Sequence, residues 1–301
     1  MGAGQGPDRD QEGETESMRR QEGAIGAGRV AVVTGAASGI GFALSERFAR
    51  EGMRVVMADV EAPALAEAAD LLAGRGARVL AVTTDVACEE QVDALRDRAL
   101  EAFGAVHVVC NNAGVSGGGR PVWELTHGEW EWVLGVNLWG VINGLRSFVP
   151  VLLEQDAAHV VNTASLAGVT TGVLGPYSAT KHAVVALTEA LHLQLAQRGA
   201  RVGVSVLCPG WVRTRIAESG RNRPAGLPTP PEDAEGDRAV HDLVRQLIDT
   251  GMDPARIAGH VVDAVRSGRF YVLTHPEMGG SILSRAEQIL AGEAPGMPFM
   301  A

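Results

Sequence analysis

The sequence predicts an α/β fold: a doubly wound parallel sheet with helices on both faces, in a single domain. Two observations support this prediction. Short runs rich in valine are almost continuously apolar, which is typical of parallel strands that are buried on both faces. Helix-length segments separate these runs, so strands and helices alternate along the chain, and right-handed crossovers between parallel strands then give a doubly wound sheet.

The predicted elements follow one another from residue 29 onward. Strands are expected over residues 30–34, 54–58, 79–83, 106–110, 159–163, 202–207 and 270–273. Helices are expected over residues 40–51, 64–73, 89–103, 136–154, 177–197, 239–249 and 254–266. The helix over 136–154 is expected to break or end near Pro150, because proline has no backbone N–H to donate.

Two regions lack this alternation. Residues 1–28 are rich in Gly, Glu, Gln and Asp, so they cannot bury enough apolar surface to offset the entropy of ordering, and we expect a disordered tail. The folded domain is expected to cover residues 29–301. Within it, residues 211–252 begin with a long stretch of little periodicity and are expected to form a lid.

The composition argues against several classes of protein. The chain has 301 residues, of which 46% are hydrophobic, and a formal net charge of −10. It has no Lys/Arg cluster, so we expect no nucleic-acid partner. Its longest apolar stretches are strand-sized and no signal peptide is visible, so we expect no membrane span. Three cysteines without a C-x-x-C pair fit a reducing cytoplasm, and the histidines lack metal-ligand spacing, so we expect no metal.

The turn after the first strand, residues 34–41, contains Gly35, Gly39 and Gly41. Glycine allows a tight turn and lets the backbone approach a pyrophosphate, and the following helix N-terminus offers free N–H groups to the anion. The pattern lacks the Gly-Lys-Ser/Thr of a P-loop. The alternative is that these glycines only form a tight connection. The strand before the turn and the helix after it favour a dinucleotide-binding site instead.

Asp59, at the end of the second strand, is the candidate ligand of an adenosine ribose. A carboxylate there can accept hydrogen bonds from the ribose hydroxyls, and it would repel a 2′-phosphate. No Lys or Arg lies within residues 36–38 or directly after Asp59 to attract that phosphate, so the sequence favours NAD over NADP. A solvated acid at a strand end is the alternative interpretation.

Tyr177 and Lys181 lie four residues apart, on one face of a predicted helix. The pKa of a free tyrosine is about 10, and lowering it by ~3 units to serve as a base at neutral pH needs ~4 kcal/mol. An ammonium group ~4–5 Å away supplies ~3–4 kcal/mol at an effective dielectric constant of ~20, so we expect Lys181 to lower the pKa of Tyr177. Ser165, after the fifth strand, could hydrogen-bond the reacting oxygen. The alternatives are that Tyr177 and Lys181 lie on an ordinary helix face and that Ser165 belongs to an ordinary turn.

Together, these motifs resemble the classical short-chain dehydrogenase/reductase family over residues 29–275. The resemblance depends on the order of the motifs at residues 34–41, Asp59, Asp85, residues 111–114, Asn137, Ser165, Tyr177 with Lys181, and Pro209-Gly210. It implies a Rossmann-type fold with NAD(P) at the carboxyl ends of the strands. It also implies an oxidoreductase that interconverts a secondary alcohol and a ketone by hydride transfer.

The resemblance further implies a role for each matching residue. Tyr177 would be the general acid/base, Lys181 would lower its pKa and hold the nicotinamide ribose, and Ser165 would polarise the substrate oxygen. Asn137 would hold a water that links Lys181 to solvent, and Asn111 would brace the sheet. The implied coenzyme-binding residues are Gly35, Ser38, Gly39, Ile40, Gly41, Asp59, Asp85, Val86, Asn112, Ala113, Gly114, Tyr177, Lys181, Pro209, Gly210, Val212 and Thr214.

The expected substrate is a small, apolar alcohol or ketone. Its pocket is expected to be lined by residues 115–120, residues 166–174 and the lid after Trp211. The apolar side chains predicted there are Val169, Val173, Leu174, Trp211 and Ile216. Arg213 and Arg215 could instead meet a substrate carboxylate.

The expected assembly is a homo-oligomer, either a tetramer or a dimer, which the family resemblance implies. Small residues on two helices would let neighbouring subunits approach closely: Gly140, Gly144, Ala183 and Ala186. Four tryptophans are expected to pack in the core or at a subunit interface: Trp123, Trp130, Trp132 and Trp139.

Three alternatives to this enzyme remain open at the level of sequence. The same fold could serve as a non-catalytic nicotinamide-binding regulator or scaffold, because a fold does not determine a function. A methyltransferase shares the glycine turn and the ribose acid, but it has no use for a Tyr/Lys pair on one helix. An isomerising or dehydrating relative is the third.

Overall fold

The computed structural model of the protein describes residues 23–117, 120–172, 174–227 and 235–296. In this part of the chain the strands are β1 (Val30–Thr34), β2 (Arg54–Asp59), β3 (Val79–Thr83), β4 (Val108–Asn111), β5 (Ala158–Thr163), β6 (Val202–Cys208) and β7 (Tyr271–Leu273). The α-helices described are α1 (Gly39–Arg50), α2 (Ala62–Gly74), α3 (Glu89–Phe103), α4 (His127–Leu134), α5 (Gly140–Leu153), α6 (Gly175–Gln197), α7 (Glu235–Asp249), α8 (Pro254–Ser267) and α9 (Gly279–Ala291).

The strands form one parallel sheet in the order β3-β2-β1-β4-β5-β6-β7. Val32 of β1 pairs with Val56 of β2 on one side and with Val109 of β4 on the other. The direction of winding reverses between β1 and β4, so the loops after these two strands diverge and leave a crevice at the carboxyl edge. The predicted doubly wound parallel sheet of the Rossmann type is therefore confirmed.

Apolar side chains fill the space on both faces of this sheet. On one face Phe48 of α1 packs in a cluster with Ile257 of α8. On the other face Leu95 of α3 packs in a cluster with Phe148 of α5. All four side chains are at most 1% exposed, so these helices bury their apolar stripes against the strands and hold the sheet from both sides.

The packed chain begins earlier than the sequence predicts. Ala24 and Ile25 are buried in the same cluster as Phe48, and Gly28 N donates a hydrogen bond to Gly52 O at 3.0 Å. The predicted disordered tail is therefore wrong for residues 23–28, because two buried side chains are too few to produce a periodic pattern. Residues 1–22 lie outside the described part of the chain.

Helices α4 and α5 are joined by a π-helical turn, Gly135–Trp139, into one continuous helix. It begins with a capping box, in which Glu129 N donates to Thr126 Oγ1 at 3.3 Å and Thr126 N donates to Glu129 Oε2 at 2.8 Å. The prediction of a helix from residue 136 missed α4, and the helix continues through Pro150 to Leu153.

By length and composition this helix, His127–Leu153, could cross a membrane, so the expectation that every apolar stretch is strand-sized is wrong. Half of its most apolar window is buried inside the structure. Phe148 and Leu152 supply part of that buried face and pack in the core beside the sheet. Part of the apolar surface of this helix therefore packs within the domain.

Two of the small residues predicted at a subunit contact are needed inside the chain. A Cβ at Gly140 would lie 2.7 Å from Val86 Cγ2, and a Cβ at Gly144 would lie 2.0 Å from Asn111 Oδ1. Assigning these glycines to a neighbouring subunit was therefore wrong. Trp123 and Trp139 are exposed on the surface, so they do not pack in the core, and the homo-oligomer stays a prediction.

Replacing Phe48 with Ala tests the account of the core. The substitution leaves a cavity between α1 and α8, so we expect the free energy of unfolding to fall by about 3–5 kcal/mol. Chemical denaturation followed by circular dichroism measures this change. Leu193→Ala is the matched control, because Leu193 is 60% exposed, and its effect should stay within about 0.5 kcal/mol. Equal losses in the two variants would contradict the packing described.

Candidate active site

A cavity of about 610 Å³ opens at the carboxyl edge of the sheet, in the crevice between β1 and β4. Every residue predicted to bind the coenzyme lines it: Gly35, Ser38, Gly39, Ile40, Gly41, Asp59, Asp85, Val86, Asn112, Ala113, Gly114, Tyr177, Lys181, Pro209, Gly210, Val212 and Thr214. Ser165 lines it as well, whereas Asn137 does not. The fold therefore brings together residues that are far apart in the chain.

The glycine-rich turn after β1 is tight enough to require its glycines. Gly35 and Gly39 have φ angles of +67° and +55°, which L side chains rarely adopt. A Cβ at Gly41 would lie 2.0 Å from the carbonyl oxygen of Gly35. Ser38, Gly39 and Ile40 line the cavity, so the N-terminus of α1, where anions bind favourably, lies at the cavity.

The ends of β1, β4 and β5 are fastened to one another by side-chain hydrogen bonds. Asn112 N donates to Thr34 Oγ1 at 2.9 Å, and Asn112 Nδ2 donates to Thr34 O at 3.0 Å. Thr163 Oγ1 in turn donates to Asn112 Oδ1 at 3.3 Å. The floor of the cavity is therefore fixed by polar contacts as well as by the sheet. Asn111 Nδ2 donates to Asn162 Oδ1 at 2.8 Å, which is the bracing of the sheet that the resemblance implies.

The carboxylate of Asp59 is held at the end of β2 by two backbone groups. Ala37 N donates to Asp59 Oδ2 at 3.0 Å, and Glu61 N donates to Asp59 Oδ1 at 3.0 Å. Each carboxylate oxygen has a second acceptor direction. Asp59 can therefore keep its position and still accept a hydrogen bond from a group in the cavity.

Lys181 and Tyr177 lie on one face of α6, as predicted. Lys181 is buried, and its Nζ donates to Thr163 O at 2.8 Å and lies 5.6 Å from the centroid of the Tyr177 ring. Burial lowers the pKa of Lys181 to about 8, against a smaller opposite influence of Cys208. The lysine therefore stays largely protonated at neutral pH, although it lies in the interior.

Tyr177 lies deep in the protein and is partly exposed only toward the cavity. Burial raises its pKa above the ordinary value, and a hydrogen bond with the Ser165 side chain acts in the opposite direction but is weaker. The expectation that Lys181 lowers the pKa of Tyr177 is thus not met by the protein's own groups. The reason is desolvation, which disfavours the charged form of the phenol more than its neighbours stabilise it.

Ser165 begins the short 3₁₀ helix Leu166–Gly168 and is fixed by it. Its Oγ accepts a hydrogen bond from Ala167 N at 3.1 Å and donates to Pro209 O at 3.5 Å. Ser165 and Tyr177 both line the cavity, and the Ser165 side chain acts to lower the pKa of Tyr177 against the effect of burial. A substrate oxygen placed between them would contact both groups.

The side chain of Asn137 is fully buried behind the cavity wall. The π-helical turn directs it inward, where its Oδ1 accepts from Val115 N at 2.8 Å and its Nδ2 donates to Val115 O at 2.9 Å. Nδ2 also lies 3.3 Å from Thr180 Oγ1. Asn137 therefore fixes the loop after β4, and its water-relay role stays a prediction.

The substrate side of the cavity is mostly apolar and includes predicted and unpredicted residues. Leu174, Trp211 and Ile216 line it as expected. Val169 does not, because it packs with the buried residues around Val184. Val173 and residues 118–119 lie outside the described part. The predicted lid also supplies Leu227, Val244 and Ile248, and the apolar lining residues outside the predicted segments include Trp132, Val136 and Met278.

Val244 and Ile248, within the predicted lid, are four residues apart on α7 and so share one face of that helix. No element was predicted over α4, so no helical face could be assigned to Trp132. The two arginines that were predicted to bind a substrate carboxylate form ion pairs within the protein. Arg213 contacts Asp253 at 2.5 Å, and Arg215 contacts Glu218 at 3.1 Å.

The described residues contain no cluster of side chains suited to binding a metal ion. No group of three or more His, Cys, Asp or Glu side chains within the described ranges could hold a metal ion. The polar groups that face the described cavity are instead backbone amides, hydroxyls, one lysine and a few carboxylates and arginines. This set suits an organic ligand with anionic and hydroxyl groups.

Comparison with known proteins identifies relatives along most of the chain. The family model described as short chain dehydrogenase matches residues 29–225. A 1-deoxy-11-beta-hydroxypentalenate dehydrogenase from Streptomyces exfoliatus is 44% identical over 252 residues, which cover 83% of this chain and 84% of the relative. A CLA biosynthesis dehydrogenase/reductase from Lactiplantibacillus plantarum is 34% identical over 277 residues, which cover 90% of this chain and 96% of the relative.

A solved structure extends this likeness to three dimensions. A short chain dehydrogenase/reductase from Burkholderia phymatum, in complex with NAD, superposes with a TM-score of 0.88 at 43% identity. The match covers 92% of this chain and 99% of that one. With the family model and the relatives all in agreement, the chain belongs to the short-chain dehydrogenase family of NAD(P)-dependent oxidoreductases.

Proposed function

We propose that the protein interconverts a secondary alcohol and a ketone on a small, apolar substrate, with NAD preferred over NADP. The observation that carries the proposal is the shared cavity of Tyr177, Ser165 and Lys181 with the glycine-rich turn. An acid/base group, a hydroxyl donor and a dinucleotide cradle in one cavity are the parts that hydride transfer to or from an alcohol carbon requires.

The residues present fit a nicotinamide dinucleotide. A Cβ at Gly41 would collide with the carbonyl oxygen of Gly35, so glycine is what lets α1 begin this close to the turn, and Asp59 is fixed where a ribose would lie. When bound, the oxidised coenzyme supplies a hydride-accepting carbon and a positive charge. The solved relative from Burkholderia phymatum in complex with NAD supports this coenzyme class.

The chain's own residues account for the proton and for the substrate oxygen. In oxidation, Tyr177 Oη accepts the hydroxyl proton of the alcohol while Ser165 Oγ hydrogen-bonds the same oxygen. In reduction, Tyr177 Oη returns the proton. Burial raises the pKa of Tyr177, so positive charge must offset it for the phenolate to form. The groups that can supply this charge are the Lys181 ammonium, held by Thr163 O, and the bound oxidised coenzyme.

The apolar lining favours an alicyclic or terpenoid alcohol over a charged substrate. Leu174, Trp211 and Ile216 face the cavity, whereas Arg213 is paired with Asp253 and so is engaged within the protein. The relatives include a 1-deoxy-11-beta-hydroxypentalenate dehydrogenase and a 3beta-hydroxysteroid dehydrogenase from Eggerthella lenta, 37% identical over 192 residues. Their names are consistent with a hydrophobic substrate.

Replacing Tyr177 with Phe removes the proposed acid/base and keeps the ring. We expect kcat to fall by about 10²–10⁴-fold, since the proton then has no acceptor, while NADH binding changes little. Coenzyme-linked absorbance with a panel of alcohols and ketones measures the rate. Tyr271→Phe is the control, because Tyr271 is the chain's only other tyrosine and bonds Glu189 at the surface. Full activity in Tyr177→Phe would contradict the mechanism, and binding without turnover in the wild type would favour a regulator.

The pH dependence should differ between the two directions. Burial raises the pKa of Tyr177, so the phenol carries its proton at neutral pH unless added positive charge offsets the burial. Oxidation needs the phenolate, so kcat/KM for alcohol oxidation should rise about tenfold per pH unit below the apparent pKa. Ketone reduction needs the protonated phenol and should fall above that pKa. Parallel pH profiles for the two directions would show that another group titrates.

Replacing Asp59 with Asn should change the choice of coenzyme. The substitution removes the charge that repels a 2′-phosphate and weakens the acceptor for the ribose hydroxyls. We expect the ratio of kcat/KM for NAD to that for NADP to fall by about 10². Initial rates with each coenzyme measure this ratio. Asp70→Asn, on the exposed side of α2, should leave it unchanged. An unchanged ratio in Asp59→Asn would remove Asp59 from the coenzyme site.

A further inference from the structure

We propose that Glu61 is a positioning residue that fastens a lid segment across the coenzyme cleft and thereby slows the release of the coenzyme. The lid segment is the 3₁₀ helix Ile216–Asn222, which follows β6 in the chain. The inference rests on the coenzyme site proposed above and adds a way in which that site is closed.

One carboxylate oxygen of Glu61 receives hydrogen bonds from two residues of the lid segment. Arg221 approaches Glu61 Oε1 with Nε at 2.9 Å and with Nη2 at 2.7 Å. Asn222 Nδ2 donates to the same oxygen at 2.9 Å. Two hydrogen bonds and an ion-pair contact on one carboxylate oxygen specify the position of the lid segment more closely than a single ion pair would.

Both ends of this contact are themselves fixed. On the side of the sheet, Glu61 N donates to Asp59 Oδ1 at 3.0 Å, so Glu61 is joined directly to the proposed ribose ligand. On the side of the lid, Arg221 Nη1 donates to Arg215 O at 3.1 Å, at the start of the lid segment. The contact therefore connects the adenosine end of the cleft to a folded piece of the lid.

The lid segment is held on its other side as well. Ser116 N, in the loop after β4, donates to Ser219 Oγ at 3.0 Å, and Ser219 is 3% exposed. Glu61, Ser116, Ser219 and Arg221 all line the main cavity. The lid segment thus spans the cleft from the start of α2 to the loop after β4. The lid segment can swing away from the cleft only after one of these two attachments breaks, and we expect that opening to precede the release of a dinucleotide bound against the glycine-rich turn.

The electrostatics favour the attachment at Glu61 as the stronger one. The Glu61 and Arg221 side chains are 22% and 26% exposed, so water screens the pair only in part. The hydrogen bond from Arg221 holds the pKa of Glu61 below its ordinary value, although partial burial acts in the opposite direction. The Glu61 carboxylate is therefore charged at neutral pH and can form the ion pair with Arg221. The Ser116–Ser219 contact joins two neutral groups and gains less.

A double-mutant cycle on NADH release tests the proposal. Stopped-flow displacement of fluorescent NADH by excess NAD gives the dissociation rate for the wild type, Glu61→Gln, Arg221→Gln and the double variant. We expect each single substitution to accelerate NADH release about tenfold, which corresponds to about 1.4 kcal/mol, and the double variant to release NADH no faster than either single variant.

In steady-state assays with an alcohol that the enzyme accepts, KM for NAD should rise in these variants while kcat does not fall. Asn222→Ala, which removes one donor, should give a smaller acceleration.

Glu218→Gln is the matched control. Glu218 belongs to the same segment but pairs with Arg215, the residue directly before it, so its loss breaks neither attachment across the cleft and should leave the release rate unchanged. An unaltered release rate in Glu61→Gln, or independent effects of Glu61→Gln and Arg221→Gln, would overturn the lid proposal while coenzyme binding by the wild type stands. A wild-type protein that binds neither NADH nor NADPH would overturn the proposed function itself.

Discussion

The burial of the Lys181 ammonium is the constraint on which the rest of the site depends. An ammonium withdrawn from water needs a polar partner, and Lys181 Nζ finds one in Thr163 O at the end of β5. That hydrogen bond ties α6 to the carboxyl edge of the sheet. Tyr177, one turn earlier on the same helix face, is thereby held at the wall of the cavity. A cation kept in the interior can stabilise negative charge nearby far better than one in water.

The same edge of the sheet connects Lys181 to the glycine-rich turn. Thr163 accepts from Lys181 through its carbonyl and donates to Asn112 through its hydroxyl. Asn112 in turn bonds both the side chain and the carbonyl of Thr34, the residue directly before Gly35. Strands that are adjacent only in the folded sheet thus carry a continuous series of hydrogen bonds from Lys181 to the residue before the glycine-rich turn, which fixes the position of α6 relative to that turn.

Much of this could be predicted from the sequence, because its signals are local. Runs of valine indicate strands, and the glycines of residues 34–41 indicate a tight turn. The helical spacing of Tyr177 and Lys181 places both on one face, as the structure has them. The contact of Glu61 with Arg221 could not be predicted, since it joins residues 160 positions apart. The direction of the Tyr177 pKa was also missed, because it depends on how much protein surrounds the phenol and not on sequence spacing.

The central claim is that burial raises the pKa of Tyr177 in the protein alone and that the positive charge of bound NAD lowers it. Titration of tyrosinate absorbance in a Tyr271→Phe background, where Tyr177 is the remaining tyrosine, measures this directly. The account predicts that Tyr177 ionises above the ordinary tyrosine pKa in the protein alone, and at least about one pKa unit lower when saturated with NAD. An ordinary pKa that is unaffected by NAD, in a folded protein that binds the coenzyme, would contradict it.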